Sequence, residues 1–172
     1  VETYMTFDEL GGIQEILPRT RNDAHKLIEE CMLLANVAAA EFALKNDIPM
    51  LYRVHEPPEF SRIQKVREFV KLLGLNFPEQ PTQADYQAVI DATKDRIDAP
   101  SIHAVLLRSM MQAYYGAANA GHYGLAYEAY THFTSPIRRY PDLLLHRAIK
   151  AHLAQKPYPI SGAALDDAGE HF

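Results

Sequence analysis

An α+β fold, mostly helical with a few short strands, is what this sequence predicts, and three observations predict it. Hydrophobic residues make up 48% of the chain and charged residues 23%, the balance of a globular chain and not of a disordered one. Apolar residues recur at helical spacing in long blocks, as with Phe60, Ile63, Val66, Phe69, Val70 and Leu73. Strand-like alternation is confined to short runs, chiefly near the start. At 172 residues, a single domain over 1–172 with an ordinary core is the natural expectation.

The elements follow in order. Residues 2–7 and 13–17 read as two short strands joined at Leu10-Gly11-Gly12. Thr20-Arg21-Asn22-Asp23 has capping-box spacing and should open a helix running to about Lys45. That helix carries Leu27, Ile28, Cys31, Leu34, Val37 and Phe42 nearly all round, so it is expected inside the domain. Asn46-Asp47-Ile48-Pro49 ends it. Residues 50–54 read as a short buried strand, broken by Glu56-Pro57-Pro58. Helices should follow at about 59–73, 82–96 and 101–115, with Gly74, Pro81-Thr82 and Pro100-Ser101 as their punctuation. Residues 116–124 read as loop and 125–132 as an aromatic-rich strand. A last long helix is expected from Ser135 to Leu153, kinked or started as a 3₁₀ turn because Pro141 falls in its second turn. The tail, 157–172, should be loop and the beginning of another element.

Composition excludes some classes. Net charge is −5, against a generally basic nucleic-acid binder, although a local basic patch would suffice for RNA. No apolar run has transmembrane length, so no membrane role is expected. Cys31 is the single cysteine, read as a small core residue; one cysteine makes no internal disulfide framework and suits a cytoplasmic location.

Chemistry concentrates in Thr131-His132-Phe133-Thr134-Ser135-Pro136-Ile137-Arg138-Arg139-Tyr140-Pro141-Asp142. Ser135 as N-cap and Pro136 at the first helical position would leave free N–H groups and a positive dipole end beside two arginines, an anion site that suits a phosphodiester. Arg138 could give two parallel N–H donors to a phosphate, most effectively as charge builds in a transition state; the alternative is a structural ion pair with Asp142. Arg139 holds either a neighbouring phosphate or a surface carboxylate. His132 contacts RNA or is a hydrogen-bonded structural histidine. Glu29 lies in an apolar stretch and shares a helical stripe with Asn36. It either accepts a hydrogen bond from a ribose 2′-hydroxyl or pairs internally with Arg53 or Arg21. Tyr114, Tyr115, Tyr123, Tyr127 and Tyr130, with His122, either stack on single-stranded bases or belong to the core. Asp166-Asp167 reads as a solvated helix start and not a metal pair. There is no P-loop lysine, zinc-protease helix or Gly-x-Ser-x-Gly elbow.

The signature run resembles that of the ribonuclease II/R family, processive exoribonucleases that degrade RNA from its 3′ end, with bacterial ribonuclease R as the nearest branch. Residues 19–36, Tyr52-Arg53-Val54-His55-Glu56-Pro57-Pro58 and Gly121-His122-Tyr123-Gly124-Leu125 also resemble it, in the family's order and over nearly the whole chain. The resemblance implies an exoribonuclease that releases nucleoside 5′-monophosphates with two divalent ions, normally Mg²⁺. It implies a catalytic role for Arg138 and ribose recognition by Glu29, the first of the pair Glu29-Glu30. The family's metal site is a tight aspartate cluster in the first half of the catalytic domain, whereas only Glu2, Asp8, Glu9 and Glu15 precede Arg19 here. The expectation is therefore the second half of an RNB catalytic domain from a longer polypeptide, starting at Val1 and inactive alone, with no metal ligands of its own. Its partners would be a single-stranded RNA 3′ end, the remaining half-domain and RNA-binding domains of the parent, with a further family glutamate just beyond Phe172. The rival expectation is a non-catalytic module that binds RNA or protein through the same surface.

Overall fold

The computed structural model describes residues 3–18, 20–158, 160 and 162–172. Glu2 and Arg19, both used above, lie outside the described residues. The chain forms two compact units, Val1–Leu34 and Ala35–Phe172.

In the first unit, β1 (Thr3–Phe7) and β2 (Ile13–Pro18) pair as an antiparallel hairpin with an irregularity between Thr6 and Phe7. Its turn is closed by the Asp8 carboxylate, which accepts from the N–H groups of Leu10 and Gly12 at 2.9 and 2.7 Å. Helix α1 (Asp23–Lys45) begins here. Asn22 caps it reciprocally with His25, whose N–H donates to the Asn22 side chain at 3.0 Å, so the cap is not the Thr20–Asp23 box that the spacing predicts. The expectation of a buried helix also fails: Leu27, Ile28, Cys31 and Leu34 are exposed, as is Phe42 further along. An apolar side chain in a helix is buried only where packing covers its face, whatever its own preference.

The second unit is built on three apolar clusters. Ala39, Ala40 and Ala43 bring the last turns of α1 close to Met50, Tyr52, Val54, Leu145 and Ala148. Helices α2 (Phe60–Leu72), α3 (Gln83–Thr93) and α4 (Ala99–Ser109) enclose Ile63, Val66, Val70, Phe77, Tyr86, Val89, Ile102 and Leu106, the spacing read from the sequence. Thr82 caps α3, with the Asp85 carboxylate accepting from its N–H at 2.7 Å. The third cluster joins Leu51, Leu144 and Leu165.

Helix α4 stops at Ser109, short of the expected 115, because the carbonyls of Met110 and Met111 are taken by Arg62 at 3.0 Å and His55 at 2.8 Å. Tyr114 and Tyr115 thus fall in a strand, β4 (Tyr114–Gly116), antiparallel to β3 (Tyr52–Val54). The strand expected at 125–132 is absent. A 3₁₀ turn spans Tyr123–Leu125 and Ala126 has φ 57°; beyond it Tyr127 exchanges two backbone hydrogen bonds with His122 as an isolated bridge, and Arg53 donates its N–H to the Tyr130 carbonyl at 2.9 Å. Helix α5 (Tyr140–Leu153) begins five residues later than predicted, and α6 (Gly162–His171) occupies the tail. Asp166 and Asp167 are exposed within α6, not at its start. Among the described residues, no helix is long and apolar enough to cross a membrane.

Candidate active site

The signature run is an anchored turn, not a helix start. Thr131, buried, donates its hydroxyl to the Leu51 carbonyl at 2.6 Å. Asn36 of α1 then holds the backbone. Its carbonyl accepts from the N–H groups of Phe133 at 2.9 Å and Thr134 at 3.3 Å, while its amide donates to the Tyr130 hydroxyl at 2.9 Å. His146 closes the same stretch from α5, with its Nε2 against the Phe133 carbonyl at 2.9 Å and its ring stacked on Phe133 at 4.1 Å.

Asp142 anchors the far end. It is 0% exposed, and a buried carboxylate is tolerable only when fully paired. It accepts from the Ser135 N–H at 2.7 Å and from Nε and Nη2 of Arg139 at 2.9 Å each. The ion pair with Asp142 thus belongs to Arg139, three residues before it, and not to Arg138. Ser135 is correspondingly not an N-cap. Its carbonyl accepts from the N–H groups of Arg138 at 3.3 Å and Arg139 at 3.0 Å, closing a turn ahead of α5, where Pro141 takes one of the first helical positions. Ile137 and Arg138 stand at the tip of this turn, exposed. Among the described residues the Arg138 guanidinium has no hydrogen-bond or ion-pair partner.

Behind the turn lies a run of rings. His132 Nδ1 meets the Tyr115 hydroxyl at 2.6 Å, and the Arg53 guanidinium sits 4.7 Å above the Tyr115 ring. Tyr130 touches His132 and His122 edge-on, and His122 touches His55. Burial pushes the His132 imidazole down to about 4, helped by the Arg139 and Arg53 cations and by His122 and opposed by Asp142. Burial, then neighbouring His55, brings His122 to about 4 as well. Both are neutral at pH 7. His55 is held at both ring nitrogens: Nδ1 accepts the Gly124 N–H at 2.8 Å and Nε2 faces the Met111 carbonyl at 2.8 Å. Tyr123 donates its hydroxyl to the Pro81 carbonyl at 2.5 Å, and burial pushes it up to about 12. A cleft of about 760 Å³ opens beside these groups, lined in part by Arg53, Tyr114, Tyr115, Asp166 and Glu170.

The sequence-predicted residues are therefore unequally assembled. Ser135, Arg138 and Arg139 share one turn, His132 leads into it, and Tyr123 belongs to the α2–α4 cluster. Glu29 lies in the first unit, half exposed, with its carboxylate paired to Arg21. The anchoring roles of Asn36 and His55 escaped sequence reasoning, and Asp142 reads there only as an ion-pair partner of Arg138. Only the polar character of Asn36 and Asp142 among apolar neighbours signalled them. Among the described residues, no group of three or more His, Cys, Asp or Glu side chains is arranged to hold a metal ion.

Comparison with known proteins places this geometry in context. The model of the RNB domain matches residues 1–155. The chain is 52% identical to ribonuclease R of Vibrio cholerae over 158 residues, covering 91% of this chain and 19% of that protein. Among solved structures, Mycoplasma genitalium RNase R in complex with ribose-methylated single-stranded RNA superposes with a TM-score of 0.78 at 29% identity, over 99% of this chain and 27% of that one. Yeast Ssd1, a pseudonuclease, reaches 0.78 at 29% identity, over 88% of this chain and 20% of that one. The chain spans about a fifth of the length of the ribonuclease R relatives it matches.

Proposed function

Because the chain belongs to the ribonuclease II/R family through its RNB domain, we propose that it is the later part of a catalytic domain that hydrolyses RNA from the 3′ end to nucleoside 5′-monophosphates. The observation that carries this reading is an exposed Arg138, unpaired among the described residues, on a turn whose two ends are anchored by buried polar groups. A guanidinium held by its backbone and free at its head can meet charge that develops on phosphate oxygens without first breaking a salt bridge. Arg139 has Nε and Nη2 committed to Asp142, so its contribution to RNA binding falls to Nη1 and to its residual positive field. Ser135 and His132 line the approach to the turn, and Tyr123 stiffens the loop behind it. Glu29 is assigned to the ribose 2′-hydroxyl, with Arg21 as its partner in the free protein.

The resemblance implies two divalent ions, normally Mg²⁺, which would supply activation of water and stabilisation of the leaving oxygen. The described residues do not fit such a site, since they group no three metal donors. The ligands are therefore assigned to the rest of the parent polypeptide, and this chain alone is expected to be inactive. A single-stranded RNA 3′ end, the rest of the catalytic domain and RNA-binding domains are its expected partners, in the cytoplasm.

Arg138→Ala in the full-length protein tests the reading. Turnover should fall roughly 10²–10⁴-fold, the range for a lost transition-state donor, with RNA affinity changed far less. Equal losses in rate and affinity would make Arg138 a binding residue. The likeness to a pseudonuclease favours a second reading, a non-catalytic RNA-binding module. It predicts salt-sensitive RNA binding without metal dependence and without product.

A further inference from the structure

The buried carboxylate of Asp142 has no explanation in substrate contact, since it is 0% exposed and both its oxygens already accept, from the Ser135 N–H and the Arg139 fork. What those three bonds accomplish is geometric. They join the first residue of the turn to the first turn of α5, and Arg138 lies on the backbone between them. The Arg138 N–H itself bonds back to the Ser135 carbonyl, the residue whose own N–H Asp142 holds. The guanidinium fork of Arg139 adds two parallel donors, which fix the orientation of the carboxylate plane as a single bond would not. We propose that Asp142 is a positioning residue for the reaction: with Arg139 it sets the turn from which Arg138 reaches the scissile phosphate. Arg139 is then the outer half of a clamp and not primarily an RNA contact. The inference rests on Arg138 acting as the transition-state donor.

A clamp of this kind has a kinetic signature that a merely stabilising ion pair lacks. Displacing a catalytic group by about 1 Å lowers rate on the order of 10²-fold while leaving ground-state binding nearly intact. Once the displaced group has been removed, displacing it further has no effect. The test is a double-mutant cycle in the full-length protein with Asp142→Asn, Arg138→Ala and the pair combined. Single-turnover cleavage of single-stranded RNA, RNA affinity and thermal unfolding are followed for each. Asp142→Asn keeps the shape but loses the charge that orients Arg139. It should slow cleavage about 10²-fold with affinity little changed, and the double variant should match Arg138→Ala to within about 2-fold. Asp142→Asn at the wild-type rate while Arg138→Ala is slow overturns the positioning role and leaves the role of Arg138 standing. A double variant slower than Arg138→Ala by the full factor of Asp142→Asn also overturns it, since Asp142 would then act independently. Arg138→Ala at the wild-type rate overturns the underlying reading and this inference with it. Should Asp142→Asn fail to fold, Arg139→Lys takes its place under the same criteria, because it keeps a cation beside the carboxylate but loses the planar fork.

Discussion

Asn36→Ala should be among the most damaging single changes in the second unit, although Asn36 touches no proposed substrate. The side chain is 4% exposed and makes three hydrogen bonds, two at 2.9 Å and a longer one at 3.3 Å. Removing it strands the Tyr130 hydroxyl, on a residue 5% exposed, and the Phe133 N–H, which has no other acceptor among the described residues. A buried group left unsatisfied costs about 1–3 kcal/mol, so the two stronger bonds together represent about 2–6 kcal/mol, and the third is counted as nothing. Denaturant unfolding of the full-length protein would measure it, with Tyr130→Phe and the double variant completing a cycle. The double variant should lose less than the sum of the singles, because each removes the other's partner. A loss below about 1 kcal/mol, or strict additivity, would refute the view that this amide holds the signature turn.

His122 and His132 give a pH dependence of definite sign. Each is held near 4 in the fold against an ordinary 6.5, so the unfolded chain takes up protons first as the pH falls. Their contribution is intact above 6.5 and is lost towards pH 4, with a slope of at most about 1.4 kcal/mol per pH unit for each. Unfolding at pH 7 and pH 5 should show it, and a His132→Gln variant with an unchanged slope would contradict it. Gly124→Ala would place its Cβ 2.6 Å from His55 Nδ1, displacing the imidazole and breaking the 2.8 Å bond that holds the ring. A loss of about 1–3 kcal/mol is expected by thermal melting, and an unaltered melt would mean the loop yields freely. Glu29→Ala should narrow the preference for RNA over DNA in competition binding; an unchanged preference leaves Glu29 as the partner of Arg21.

Much of the fold was legible because it is written locally. The apolar rows of α2 to α4, their Pro and Gly punctuation and the hairpin turn at Leu10-Gly11-Gly12 each depend on neighbours within a turn or two, and the structure reproduces them. The signature run was recognisable as a phosphate-binding candidate for the same reason: two arginines, a proline and a serine in sequence advertise themselves.

Tertiary structure decided what the local rules left open. Ser135-Pro136 satisfies the grammar of a helix start, yet the helix begins at Tyr140, because the buried Asp142 carboxylate takes the Ser135 N–H and the Arg139 fork. Moving the start moves the pairing from Arg138 to Arg139, and it is this shift that leaves Arg138 free. In the same way, His55 and Arg62 take the carbonyls that would have extended α4, and Tyr114 and Tyr115 become a strand against β3. Leu27, Ile28 and Cys31 face solvent although their helix reads as buried. Periodicity states which face of an element is apolar, but which groups claim its ends, and whether anything covers that face, depends on residues far along the chain. A sequence names the donors and acceptors; only packing decides which of them meet.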